Sequence, residues 1–388
     1  MIPQLELIFA IIFATLYVYT KNHALKKLCV VGGVCCLLYV FVRVKCNTYK
    51  LHLLDIDSIN EVLVLKTKLS DDHVLFMLDT GYAGPPVLSK SYISVQKNNT
   101  TNIVEEYKDV MHKMESVTKD EEHRAVNDYI INNGCLPYTS GCTMKLMGIG
   151  SVEEKQADML MCPMLQMQTN LGIYTSPKKL TKTHADVFVT NSLKASLHIL
   201  TCDFLLHNSP CLISHENQTL NLSMNLTQYV LQKQNFHMFD AKFSGGSFVM
   251  TIFVENEPLK FTVDTGAPGP INIGSSAARK IKKCFAQHGR KTLKQQGVNG
   301  EIVCSELVEL QVRFCNRDYK LPCFINNLPT DHVDGYVGLG FLRAFDILMS
   351  TDEIGFLKNS LEFKSIHDYN RIASSGTCGG KLECLGES

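Results

Sequence analysis

An all-β, two-lobed protein is predicted by three observations: a twenty-residue segment that occurs twice, the β-rich apolar runs in both copies, and the same turn sequence closing each. Val62 to Gly81, VLVLKTKLSDDHVLFMLDTG, aligns without gaps against Ser247 to Gly266, SFVMTIFVENEPLKFTVDTG. Each copy reads as two runs rich in β-branched and apolar residues, parted by a polar turn, SDD in one and ENEP in the other. Each therefore predicts a hairpin that ends on Asp-Thr-Gly. The repeat continues past the hairpin, with Gly84 opposite Gly269 and Pro85 opposite Pro270. A single Asp-Thr-Gly is a common turn. Two of them, each ending an equivalent hairpin and followed by the same glycine and proline, mark a duplication.

The composition fits this reading. The chain has 388 residues, 38 Lys plus Arg against 38 Asp plus Glu, 45% hydrophobic and 20% charged residues, which is globular and long enough for two or three folded units. Zero formal charge excludes a dedicated nucleic-acid binder, which needs a net basic surface. None of the 15 cysteines forms a CxxC pair and no HExxH occurs, so no metal site is expected. The 13 histidines form no triad with a G-x-S-x-G elbow.

In chain order, residues 1–45 hold two apolar runs, Ile2 to Thr20 and Leu28 to Val42, separated by Lys21, Lys26 and Lys27. A membrane anchor of one or two hydrophobic helices is expected here, with the basic loop cytosolic. The body would then lie in the secretory lumen, outside the cell or on a virion surface. Sequons at Asn98, Asn99, Asn217, Asn221 and Asn225 and an even set of cysteines beyond the anchor agree with a disulfide-bonded glycoprotein. Cys315 and Cys323 flank a turn expected at Asn316 to Asp318 and are candidates to bridge it; the alternative is that such cysteines are small buried hydrophobes. Residues 46–230 make the first lobe, with a polar insertion at 94–133 carrying a helix near Ile103 to Val117. A linker is expected near Leu226 to Gly246, where alternation fades. Residues 231–366 make the second lobe, in which Ser275 and Ser276 look like helix caps before a basic face. Residues 367–388 form a tail with Cys378 and Cys384.

Together the two Asp-Thr-Gly hairpins resemble the pepsin-like aspartic proteases, with retropepsin-like touches. The likeness runs from Val62 to Phe363 and has independent support at the far end of the second lobe: Asp334-Gly-Tyr-Val-Gly-Leu-Gly-Phe-Leu-Arg343, then Phe345-Asp346 and Ile354-Gly355-Phe356. The resemblance implies a bilobal acid-protease fold with the active site between the lobes. It assigns Asp79 and Asp264 as the catalytic pair, 185 residues apart, with Thr80, Gly81, Thr265 and Gly266 as their supports. Leu136-Pro-Tyr-Thr-Ser-Gly-Cys142 is similar to the flap, making Tyr138 the residue over the substrate. Two positions depart from the family. Thr201 replaces the glycine of the first apolar-apolar-Gly element, and either displaces the first loop or is accommodated by a wider lobe. Tyr82 stands where a small or hydroxyl residue is usual, and its ring either shifts the optimum pH or blocks the water site.

The chemistry needs a pair of carboxyls. Held about 3 Å apart they cannot both ionise, so one keeps a proton, and the pair can deprotonate water while protonating a carbonyl oxygen. The implied activity is endopeptidase cleavage between mostly apolar residues of a peptide or protein substrate, by a monomeric two-lobed unit without cofactor. The alternatives are a catalytically silent peptide-binding or adhesion protein of the same fold, and a structural membrane or envelope protein.

Overall fold

A computed structural model describes residues 15, 17–19, 23, 26–27, 30–33, 48–55, 61–69, 72–82, 84, 86–89, 136–147, 152–163, 166–170, 173–175, 184–190, 198–244, 247–267, 269–281, 291–296, 302–326 and 333–369, several strands by backbone alone. They form a mainly β protein built on the duplicated hairpins. Glu61–Leu69 pairs antiparallel with Asp72–Asp79, and Ser247–Val254 with Glu257–Asp264. The second hairpin turns through Glu255 and Asn256, both at positive φ (51° and 68°), the two-residue turn whose twist suits paired strands.

Each aspartate ends a central strand. His198–Thr201 runs parallel to Asp72–Asp79 with Thr201 opposite Asp79, and Gly335–Gly338 runs parallel to Glu257–Asp264 with Gly338 opposite Asp264. A third strand lies antiparallel on the other side of each partner, Val87–Ser89 in the first half and Ile271–Gly274 in the second. Short helices, Cys202–His207 and Leu339–Leu342, follow the two partner strands. The duplication seen in the hairpins therefore extends to the topology around them.

A shared base joins the halves. Six strands lie in the order His237–Asp240, Glu353–Lys358, Phe345–Met349, Cys211–Ser214, Thr219–Asn221, Thr48–Asp55, so each half supplies three and the crossing is Cys211–Ser214 against Phe345–Met349. Phe314, Phe341, Phe345 and Phe356 pack edge to face over this base, with Phe314 and Phe356 centroids 4.9 Å apart. Buried Asp346 is held across the crossing by Ser214 Oγ (2.9 Å) and the His215 amide (3.0 Å). Arg343 pairs with Glu61 at the start of the first-lobe hairpin, a second tie between halves.

Several expectations need correction. Cys315 and Cys323 are free: Cys315 sits in the turn itself with Asn316, both at positive φ, while Cys323 pairs with Val308 well up the hairpin. The turn is Cys315 and Asn316, between Phe314 and Arg317, and Cys323 is paired well away from it, which separates the two sulfurs along the ladder. Cys202 and Cys211 are also free and buried, so no disulfide occurs among the described cysteines with described side chains. Ser275 begins a helix instead of capping it; Gly274 is the cap residue, and the Ser275 hydroxyl donates to the Asn326 carbonyl at 3.0 Å. The segment Leu226 to Gly246, where the passage between lobes is expected, carries regular structure. Asn225 and Gln228 form a reciprocal capping box on the helix Leu226–Lys233, and His237–Asp240 joins the shared base.

Among the described residues no helix is long and apolar enough to cross a membrane. Most of 2–20 and 28–42, where an anchor is expected, lie outside the described residues, as do the insertion at 94–133, Asn98, Asn99, Cys378 and Cys384.

Candidate active site

The two Asp-Thr-Gly turns meet face to face, and four hydrogen bonds between their threonines and the opposite strands join them. Thr80 N–H donates to Thr265 Oγ1 (3.1 Å), and Thr265 N–H donates to Thr80 Oγ1 (3.0 Å). Each hydroxyl then donates to the chain of the other half, Thr80 Oγ1 to the Val263 carbonyl (2.9 Å) and Thr265 Oγ1 to the Leu78 carbonyl (2.7 Å). Both threonines are fully buried, so every donor is committed inside the protein, where a broken bond has no water to replace it. Threonine suits this place because one hydroxyl accepts from one strand and donates to another.

The glycines bring the carboxyls together. A Cβ on Gly81 would lie 2.4 Å from the Asp264 carboxyl carbon, and one on Gly266 would lie 2.4 Å from that of Asp79. Each aspartate thus rests on the bare backbone of the opposite turn. Its own turn holds it from below: the Gly81 amide donates to Asp79 Oδ1 (2.9 Å), and the Gly266 and Ala267 amides donate to Asp264 Oδ1 (2.9 and 3.0 Å).

The two carboxyls are hydrogen-bonded to each other. Burial pushes the Asp79 carboxyl well above the usual range; the charge of Asp264 and the bond to it push the same way, against the amides of Gly81 and Tyr82. Burial also raises Asp264, while the bond from Asp79 and the amides of Ala267 and Gly266 pull it down. Both carboxyls are thus raised by burial, and the pair favours holding one proton between them.

The loops that follow the turns differ. In the second half, a Cβ on Gly338 would lie 2.1 Å from the Gly269 carbonyl oxygen and 2.6 Å from that of Ala267, so only glycine fits. In the first half Thr201 occupies the matching register without displacing the strand. Its hydroxyl donates to the Gly84 carbonyl at 2.6 Å, and Gly84, at φ 99°, is matched by Gly269 in the repeat. The Cys202 amide donates to the Tyr82 carbonyl (3.0 Å), as the Leu339 amide does to the Ala267 carbonyl (2.7 Å). Tyr82 does not come between the carboxyls. It packs against the cluster of Val62, Val64, Met77, Val87 and Ile199, and burial, with Asp79 and Asp203 nearby, raises its hydroxyl pKa.

Tyr138 lies in the strand Leu136–Met147, which forms a long hairpin with Val152–Pro163. It is the extra residue between the pairs Pro137–Leu160 and Thr139–Met159, near the base of a hairpin that turns beyond Met147; its side chain lies outside the described residues. Asp203 escaped the sequence reading. Its Oδ2 accepts from the Gly84 amide at 2.8 Å. The available signal is Thr201 with Asp203 two residues on, a helix-start pattern that the likeness to an apolar-apolar-Gly element overshadows. Among the described residues no cluster of three or more His, Cys, Asp or Glu is arranged to hold a metal ion.

No family model matches this chain. No curated protein matches it either. Among solved structures it is similar to basic 7S globulin from soybean, at 9% identity over 83% of this chain and 96% of that one, TM-score 0.45. It is similar to conglutin gamma, a basic 7S globulin from lupine seeds, at 10% identity over 85% and 98%, TM-score 0.43. A retropepsin-like aspartic protease from Rickettsia conorii matches at 20% identity over 31% of this chain and 92% of its own, TM-score 0.25.

Proposed function

We propose that the protein is an aspartic endopeptidase. The observation that carries this reading is the hydrogen-bonded contact of Asp79 and Asp264 across the two halves, each seated on the opposite glycine. Such a pair holds one proton and one negative charge at the same place, which is what water addition to an amide requires.

In the working state Asp79 is protonated and Asp264 ionised. A water between them attacks the scissile carbonyl carbon; Asp264 takes a proton from the water as Asp79 gives its own to the carbonyl oxygen. The tetrahedral adduct collapses when the proton on Asp264 passes to the leaving nitrogen and the hydroxyl proton returns to Asp79. The carbon–nitrogen bond breaks, and the pair ends as it began. The amides of Gly266 and Ala267 favour the ionised Asp264 throughout.

The test is incubation of the purified protein with an unbiased peptide mixture from acid to neutral pH, wild type beside Asp264→Asn. Cleavage by the wild type that the substitution abolishes is expected. Cleavage that survives Asp264→Asn, or none by the wild type at any pH, contradicts the reading.

A further inference from the structure

We propose that Thr201 and Asp203 are positioning residues for the carboxyl pair, acting through Gly84. The inference deepens the proposed function and rests on it for its kinetic arm. Asp79 depends on the turn beneath it, residues 79 to 84, for the amides that orient its carboxyl. That turn ends at Gly84, whose φ of 99° only glycine tolerates well. Both backbone groups of Gly84 are held from the start of the helix Cys202–His207: its carbonyl accepts from Thr201 Oγ1 at 2.6 Å, and its amide donates to Asp203 Oδ2 at 2.8 Å. Thr201 is itself fixed. It is fully buried, caps the helix by accepting from the Phe204 amide, and stands in register opposite Asp79.

The second half shows what the clamp replaces. There Gly338 lets the Gly269 carbonyl approach so closely that no side chain fits, and the Gly340 amide donates to that carbonyl at 3.2 Å. In the first half a side chain occupies this place, and a hydroxyl and a carboxylate hold the Gly84 backbone. Asp203 aligns with Gly340 when Thr201 is aligned with Gly338, so both members of the clamp are specific to the first half. Glycine at 201 would leave the Gly84 carbonyl without its donor and the helix without its cap.

The experiment combines steady-state kinetics with amide hydrogen exchange of the segment 79–89 in the full chain, for the wild type, Thr201→Val, Thr201→Ser, Thr201→Gly and Asp203→Ala. Thr201→Val, Thr201→Gly and Asp203→Ala are expected to speed exchange in this segment about tenfold and lower kcat by about tenfold with KM within twofold, and Thr201→Ser to restore both. Thr201→Gly serves should the valine variant not fold, because it removes the hydroxyl without adding bulk. Wild-type exchange in both hydroxyl-less variants and in Asp203→Ala overturns the proposal. Faster exchange in a protein with no Asp264-dependent cleavage upholds the clamp while removing the proposed function, so the two failures are distinguishable.

Discussion

The two halves present their aspartates in the same register and support them by different chemistry. In the second half the loop beside Asp264 is closed by close approach: Gly338 lies against the Gly269 and Ala267 carbonyls, and small Ala267 gives its amide to the carboxylate. In the first half the matching loop is bridged by the Thr201 hydroxyl and the Asp203 carboxylate, and Tyr82 fills the space beside it against Met77, Val87 and Ile199. A duplicated site can thus keep its geometry while one copy exchanges steric fit for hydrogen bonding. Through both kinds of support the two carboxyls stay buried and paired, each raised by burial.

The strongest way to break the symmetry is at the glycines beneath the carboxyls. Gly81→Ala and Gly266→Ala each drive a methyl to 2.4 Å from the opposite carboxyl carbon, and each is expected to lower activity by about a thousandfold or more. Equal losses in the two variants, measured as kcat/KM, agree with the reciprocal seating; a loss in only one contradicts it.

Acid separates the halves next. Among the described residues the two buried histidines, His198 and His215, both belong to the first half, and burial lowers each pKa to about 4. His215 donates from Nδ1 to the Phe345 carbonyl, so its Nε2, without a hydrogen-bond partner, would carry the added proton. Above the ordinary value of 6.5 these rings are neutral in both folded and unfolded chains and shift nothing. As pH falls from 6.5 to about 4 the unfolded chain binds protons that the folded one refuses, so stability drops by roughly 3 kcal/mol per histidine and then levels off. The carboxyl pair runs the other way: with folded pKa values raised by burial, it stabilises the fold while protonated and loses this as pH rises. Denaturant midpoints at pH 7 and pH 4 check the first effect, with His215→Gln expected to flatten it. Hydrogen exchange at low pH is expected to rise first in the first-half strands.

Smaller effects sharpen the contrast between the loops. Gly338→Ala places Cβ 2.1 Å from a backbone oxygen that has nowhere to go, and a loss of about 3 kcal/mol is expected. Thr201→Ala removes one hydrogen bond and a helix cap at the matching place, for a loss of about 1–2 kcal/mol. Thermal or urea unfolding of the two variants gives the order directly; a larger loss at Thr201 contradicts the distinction between steric closure and bridging.

Much of this was legible in the sequence because a duplication doubles a weak signal. The hairpins ending at Asp79 and Asp264 follow from the repeat, while the supporting role of Thr80 and Thr265 follows from the resemblance that the repeat carries. Residues whose role depends on long-range pairing were not legible. The sequence around His237–Asp240 lacks alternation because this strand lies in a base assembled from both halves, and no local pattern names its partner Glu353–Lys358. Cys315 and Cys323 flank a turn in sequence, but bridging depends on which residues face each other across the ladder, and there Cys323 faces Val308 while Cys315 lies in the turn. Thr201 stands out as a departure because the family pattern supplies the expectation of glycine. Its bond to Gly84 becomes visible only when the two loops lie side by side.

The central claim is that Asp79 and Asp264 share one proton across the two halves. Carboxyl-carbon NMR of protein labelled at aspartate, followed through a pH titration in wild type and Asp264→Asn, tests it most directly. One carboxyl assigned to the pair is expected to remain protonated well above the ordinary aspartate range, and the Asp79 signal to move down towards that range when its partner becomes an amide. Two carboxyls titrating independently near the ordinary value, with Asp79 indifferent to the substitution, would contradict the account.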